Sequence, residues 1–267
     1  TLARPVSYSG IGLHAANEVH MVLRPAPADT GIVFVRTDLA GNPSVPAQLA
    51  YVTNTMSDEL EQGEAKVFTV EHLLSALQGM AVDNCIVEMD SVEPPVADGS
   101  SLTFVRLIEQ AGIQKLDMPR RVLTVRRQHL VQEEDKFIAI LPYDGFRITF
   151  TSINPHPLLG VQFSDTESQK TIIYANTFAR TIAFTKNGYV EKAGPWQGGT
   201  LENTIVYDDT TCLSVLRSDD ELVRHKVLDV IGDMALLGRS LKGHIIAVKS
   251  SHKLNNMLAR QISEEMN

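Results

Sequence analysis

The sequence predicts an α+β fold of two similar domains, each a mainly antiparallel sheet with helices on one face, the helices sandwiched between the two sheets. Three observations predict it. Strand-like runs come first in each half of the chain. Helix, strand and helix then follow in the same order, at 70–79, 84–89 and 102–111 and again at 220–237, 244–249 and 254–262. Between the halves, Pro119-Arg120-Arg121 breaks the pattern, so the 267 residues divide into expected domains at 1–118 and 119–267, both of ordinary domain size.

The elements follow in order. Residues 18–23 alternate and run into Arg24-Pro25-Ala26-Pro27, a strand ending in a proline turn, and 32–35 form a second apolar strand. Val70, Leu73, Leu74 and Leu77 recur at helical spacing, with Thr69 placed as N-cap and Gly79 as the stop. Residues 85–89 read as a buried strand. Phe104, Leu107, Ile108 and Ala111 mark one face of a second helix that ends before Gly112. Strand-like runs at 122–131, 137–141 and 146–153 open the second half, with Asp144-Gly145 as a hairpin turn between the last two. Residues 166–197 are less regular. The strongest helix is 220–237, with Val223, Val227, Val230, Ile231, Met234 and Leu237 on its apolar side and Gly238 after it.

Composition narrows the function classes. Apolar residues make up 43% and charged residues 21%, an ordinary globular balance that excludes a disordered chain. No stretch approaches the ~20 apolar residues of a membrane span, and no leader pattern opens the chain. A net charge of −8 argues against a long-range field for nucleic acid. The two cysteines, Cys85 and Cys212, form no C-x-x-C pair, so they read as two buried, reduced thiols in a cytoplasmic protein and any metal would use His and carboxylate.

His225 and Asp229 stand at i and i+4 on the long helix and share a face, with Asp233 one step further along it. Two ligands at this spacing can grip one divalent ion. On spacing alone, a solvated His–Asp pair on an amphipathic helix is the competing reading. His72 would be a third ligand if the two helices face one another, and its neighbour Glu71 a general base. His252, after the last strand, is a candidate acid or cation. The other histidines have no patterned partners. Gly10-Ile11-Gly12-Leu13-His14-Ala15 fits the dinucleotide fingerprint, but strand-like residues follow where that motif needs a helix, and little room precedes it for a first strand.

Together these residues resemble a known family. Thr69-Val70-Glu71-His72-Leu73 and Arg224-His225-Lys226-Val227-Leu228-Asp229-Val230-Ile231-Gly232-Asp233 resemble the T-V-E-H-L and R-H-K-x-x-D-x-x-G-D motifs of bacterial UDP-3-O-acyl-N-acetylglucosamine deacetylases. Gly10 to His14, Asp83-Asn84, Asp98-Gly99-Ser100, Ala179-Arg180-Thr181, Gly198-Gly199 and 249–256 match in family order over nearly the whole chain. The resemblance implies a zinc amidohydrolase of lipid A synthesis acting on a UDP-linked acylated amino sugar, with iron(II) as an alternative metal. It implies His72, His225 and Asp229 as metal ligands and Glu71 as the base that deprotonates the attacking water. Thr181 would bind the developing oxyanion, His252, held protonated by Asp233, would protonate the leaving amine, and Lys226 would lie near the substrate.

The sequence also departs from the pattern. L-H-T-G becomes Leu13-His14-Ala15-Ala16, S-G-H becomes Ser250-Ser251-His252, and G-L-R becomes Val215-Leu216-Arg217. A usual Thr is replaced near Ser57-Asp58-Glu59, Ile182 replaces an aromatic residue, and Pro195-Trp196-Gln197 precedes the glycine pair. Asp58 and Trp196 suggest a divergent relative with altered sugar or acyl preference; ordinary drift within the family is the equal alternative. From another class comes a non-catalytic sugar-nucleotide- or lipid-binding homologue; Glu71 and His252 together argue against it.

Overall fold

The structure is a computed structural model and describes residues 1–55, 59–185 and 197–264. Among these, five helices are present: α1 (Glu71–Gly79), α2 (Leu102–Ala111), α3 (Gln169–Asn176), α4 (Glu221–Ala235) and α5 (His252–Ser263). The first large sheet runs Val6–Ile11, Glu18–Pro25, Cys85–Met89, Ile32–Arg36, Ser44–Pro46 in spatial order. The second runs His129–Glu133, Lys136–Leu141, Ser240–Val248, Phe146–Asn154, Gly160–Glu167. The order is the same in both: a hairpin, then the last strand of the half inserted beside the third. In each sheet that inserted strand is parallel to the third strand, and the other pairings along the order are antiparallel. This repeat matches the expected α+β architecture.

Period-two burial explains why these strands lie where they do. In Glu18–Pro25, Val19, Met21 and Leu23 are buried while Glu18, His20 and Arg24 face water. The inner faces of both sheets and the apolar sides of the helices form one core. It includes Phe34 and Val87 from the first sheet, Ile140 and Phe150 from the second, and Leu73, Val227 and Leu258 from the helices between. α1 and α4 pack directly on each other. They cross at Gly232, where a Cβ would stand 2.2 Å from the Glu71 carbonyl oxygen. Two small sheets extend from this frame: Val52–Asn54, Glu59–Gln62 and Ala65–Val67 in the first half, and Thr181–Phe184 beside Thr204–Tyr207 in the second. No helix among the described residues is long and apolar enough to cross a membrane.

Several expectations change. Asp144-Gly145 does not close a hairpin, because Ser240–Val248 lies between the two strands it joins and Gly243 donates to the Gly145 carbonyl. The run at 122–131 splits into Val122–Thr124, which pairs with the start of Ser240–Val248, and His129–Glu133. A strand, Val6–Ile11, does precede Gly12, but another strand follows it, so the dinucleotide reading fails for want of a helix. The irregular stretch after Thr166 contains α3, whose β-branched Thr171, Ile172 and Ile173 weaken its helical signature; the Ser168 side chain caps it. Thr69 is not an N-cap. It holds φ +54°, and Val70 takes the N-cap position with no side-chain cap.

Candidate active site

The α1–α4 crossing brings His72, on the first turn of α1, against His225 and Asp229, one turn apart on α4. Their ligand atoms all lie within 4.8 Å of one another, and all three residues are buried. His225 Nε2 is 3.2 Å from Asp229 Oδ1, and the two imidazoles meet edge to face with centroids 5.1 Å apart. His225 Nδ1–H donates to the Ala179 carbonyl at 3.0 Å, which leaves Nε2 with its lone pair towards the group. Burial pushes His72 down to about 3, with the adjacent His225 adding to the effect, and burial likewise lowers His225. Both rings are therefore favoured in the neutral form that a metal requires. Burial alone would raise Asp229, but the positive charge of His225 when that ring is protonated, and the charge of Lys226, outweigh it and hold its carboxyl well below the usual carboxylate range.

One oxygen decides whether a cation fits here. Asp229 Oδ2 accepts from Lys226 Nζ at 2.8 Å, while Oδ1 is buried and accepts no hydrogen bond from the described residues. A buried, ionised oxygen beside two neutral imidazole nitrogens is an incomplete arrangement without a cation. The donor set, two nitrogens and one carboxylate oxygen, fits zinc and leaves the remaining coordination open to the cavity.

That cavity, of about 500 Å³, is lined by Glu71, His72, Thr181, His225, Lys226, Asp229 and His252. Of the residues expected at the site, Asp233 alone does not line it. It lies fully buried behind His252, whose Nδ1 is 3.0 and 3.1 Å from its two oxygens, and Asn255 Nδ2 donates to it at 2.6 Å. Thr181 begins its strand with its N–H donating to the Gly99 carbonyl at 3.0 Å, so the Asp98-Gly99-Ser100 turn of the first half seats a residue of the second.

Reading the sequence missed a buried group beside the cavity. Glu93 Oε1 accepts from the backbone N–H of His14 and of Ala15, both at 2.9 Å, and Oε2 is 3.1 Å from His14 Nδ1. Thr69 Oγ1 lies 3.0 Å from the same nitrogen, which is where the hydroxyl expected to cap α1 has gone. His14 is thus no isolated surface histidine. A signal was present in Gly12, where any Cβ would stand 2.3 Å from Glu93 Oε1.

The departures are accommodated by backbone roles. Val215 is 88% exposed and offers only its carbonyl, which accepts from Arg180 Nη2. Ser251 is extended, at φ −140°, and its side chain caps α5, so no glycine is needed there. Ala16, in contrast, holds φ +52°, a region that favours glycine. Ser57 and Asp58, and Pro195 with Trp196, lie outside the described residues.

Over residues 1–264 the sequence matches the family of UDP-3-O-acyl N-acetylglycosamine deacetylases, LpxC. The chain belongs to this family. Among its LpxC relatives, the UDP-3-O-acyl-N-acetylglucosamine deacetylase of Pseudomonas entomophila is 43% identical, with 99% of this chain and 90% of the relative covered. The enzymes of that name from Hahella chejuensis and Coxiella burnetii are 42% and 40% identical, each with 98% of this chain and 89% of the relative covered. The likeness therefore spans both halves and both LpxC motifs rather than one of them.

Proposed function

We propose that this chain is a zinc-dependent deacetylase that removes the acetyl group from a UDP-3-O-acyl-N-acetylglucosamine-type substrate during bacterial lipid A synthesis, in the cytoplasm. The carrying observation is that the buried His72–His225–Asp229 group opens, together with Glu71, onto the cavity that Thr181 and His252 also line. On this reading, halves 1–118 and 119–267 are two domains that share one active site.

His72, His225 and Asp229 would hold the ion, and iron(II) suits the same donors. When bound, a divalent cation supplies Lewis acidity towards the acetamide carbonyl and makes water easier to ionise. Glu71 takes the proton from the attacking water. The Thr181 hydroxyl donates to the oxyanion that develops on the carbonyl. Asp233 accepts from His252 Nδ1, which orients the ring so that Nε2 can deliver a proton to the departing amine. Lys226 shields the Asp229 charge; burial opposes its own charge, yet Asp229 raises it above the ordinary lysine value.

Metal content and acetate release, measured in one preparation, test the reading. The expected results are about one metal per chain, acetate released from the acylated UDP-sugar, and a loss of about 10²–10⁴-fold in Glu71→Ala. A metal-free preparation with full activity, or an unimpaired Glu71→Ala variant, would overturn it.

A further inference from the structure

Arg180 and Glu221 form a buried ion pair that none of the steps above uses. They are 4% and 1% exposed. Glu221 accepts four N–H groups: Arg180 N at 3.1 Å, Nε at 2.9 Å and Nη2 at 3.2 Å, and Arg217 N at 2.7 Å. Arg180 Nη1 and Nη2 also donate to the carbonyls of Glu202 and Val215. Four of the five guanidinium N–H groups and both Glu221 oxygens are engaged, as burial of the two charges demands.

The placement of the pair matters more than its strength. Glu221 opens α4, one turn before His225. Arg180 lies between Ala179, whose carbonyl accepts from His225 Nδ1, and Thr181. A closed circuit results. It runs from the Arg180 backbone through the Ala179 carbonyl to the His225 ring, back along α4 to Glu221, and across the ion pair to Arg180. Arg217 ties the circuit to the first half, since its Nη1 donates to Asp98 Oδ2 and to the Phe178 carbonyl, both at 2.8 Å. A planar fork held at several atoms fixes an angle as well as a distance, which a point charge or an apolar pair does not.

We infer that Arg180 and Glu221 are positioning residues: they hold the Ala179 carbonyl on His225 Nδ1 and so fix the tautomer that turns Nε2 towards the metal. The inference rests on the metal reading of His72, His225 and Asp229. A carbonyl held in place can only accept, so Nδ1 must carry the hydrogen. A carbonyl released by a few tenths of an ångström lets the ring adopt the other tautomer, which cannot ligate through Nε2.

The test uses the full chain, with two readouts. Long-range proton–nitrogen spectra of the imidazoles in metal-free protein report the His225 tautomer. Competition with a chelator reports zinc affinity. The variants are Arg180→Lys, which keeps the charge but loses the fork, and the pair Arg180→Met with Glu221→Met, which removes both charges together. In whichever variant keeps the wild-type melting transition, we expect mixed His225 tautomers and zinc binding weaker by about 10-fold or more. A folded variant with a single Nδ1–H tautomer and wild-type zinc affinity overturns the inference. So does a double variant that fails to fold while Arg180→Lys matches wild type in both readouts, because the pair would then be merely structural. If the wild-type chain binds no zinc, the metal reading fails, and the tautomer in metal-free protein still decides the positioning claim.

Discussion

Gly232→Ala should destabilise this protein and slow it, although helix propensity alone favours the opposite. In an exposed helix interior, replacing Gly by Ala gains about 1 kcal/mol. At Gly232 the new methyl would stand 2.2 Å from the Glu71 carbonyl oxygen and 2.8 Å from both Glu71 C and Cα. A relaxed carbon–oxygen contact is about 3.3 Å, so α1 and α4 must separate by about 1 Å. Every obstructing atom is backbone, and no side-chain rotation relieves the overlap. Overpacking of this kind costs about 1–3 kcal/mol, which outweighs the propensity gain. The same shift carries Glu71 and His72 away from His225 and Asp229, and on the proposed mechanism a 1 Å misplacement at that reacting centre costs about 10²-fold in rate. Urea unfolding and deacetylation of the acylated UDP-sugar, measured on the same preparation, report both effects. A variant more stable than wild type with undiminished turnover would refute the claim that this crossing sets the site.

Three further outcomes follow from local geometry. Ala16→Gly, at φ +52°, should stabilise the protein by about 0.5–1 kcal/mol in urea unfolding, because relief of the left-handed alanine exceeds the added freedom of the unfolded chain. With a thiol reagent, Cys212, half-buried, should react in the folded protein, while Cys85, buried and pushed up to about 12 by that burial, should react only as the chain unfolds. Asp165 is held down to about 2, chiefly by Arg147, so its folded value lies below its unfolded one and the stabilisation it brings is present above about pH 4 and lost as pH falls towards 2. The stability gap between wild type and Asp165→Asn should follow that course and stay under about 1 kcal/mol, since the pair is partly solvated.

What could be read from the sequence was local or carried by motif. His225 and Asp229 share a face because 3.6 residues make a turn, and the apolar stripe of α4 says which face is left for chemistry. The repeated helix–strand–helix order suggested that His72 would face them, and the packing of α1 on α4 realises it. Strand neighbours were not legible. Alternation marks Lys136–Leu141 and Phe146–Asn154 as strands, but it carries no record of Ser240–Val248 entering between them about 100 residues later. Glu93 was hidden for a related reason. Its partners, His14 and Ala15, lie 79 and 78 residues away, and a lone glutamate in a loop looks the same whether it solvates or clamps. Thr69 misled because its hydroxyl found His14 instead of the backbone of α1.

The insertion of the last strand has a consequence in time. By Met89 the first sheet has all five of its strands. The second has an unfilled lane from Glu167 until Ser240–Val248 emerges, and that missing lane lies at its centre. At the usual pace of synthesis, about 5–20 residues per second, the 72 intervening residues take roughly 4–14 s. Throughout that interval Lys136–Leu141 and Phe146–Asn154 each present an open strand edge to the cell. The growing chain is most vulnerable to mispairing then, and a chain that lost its last 30 residues would keep His225 and Asp229 while never closing the sheet beneath them.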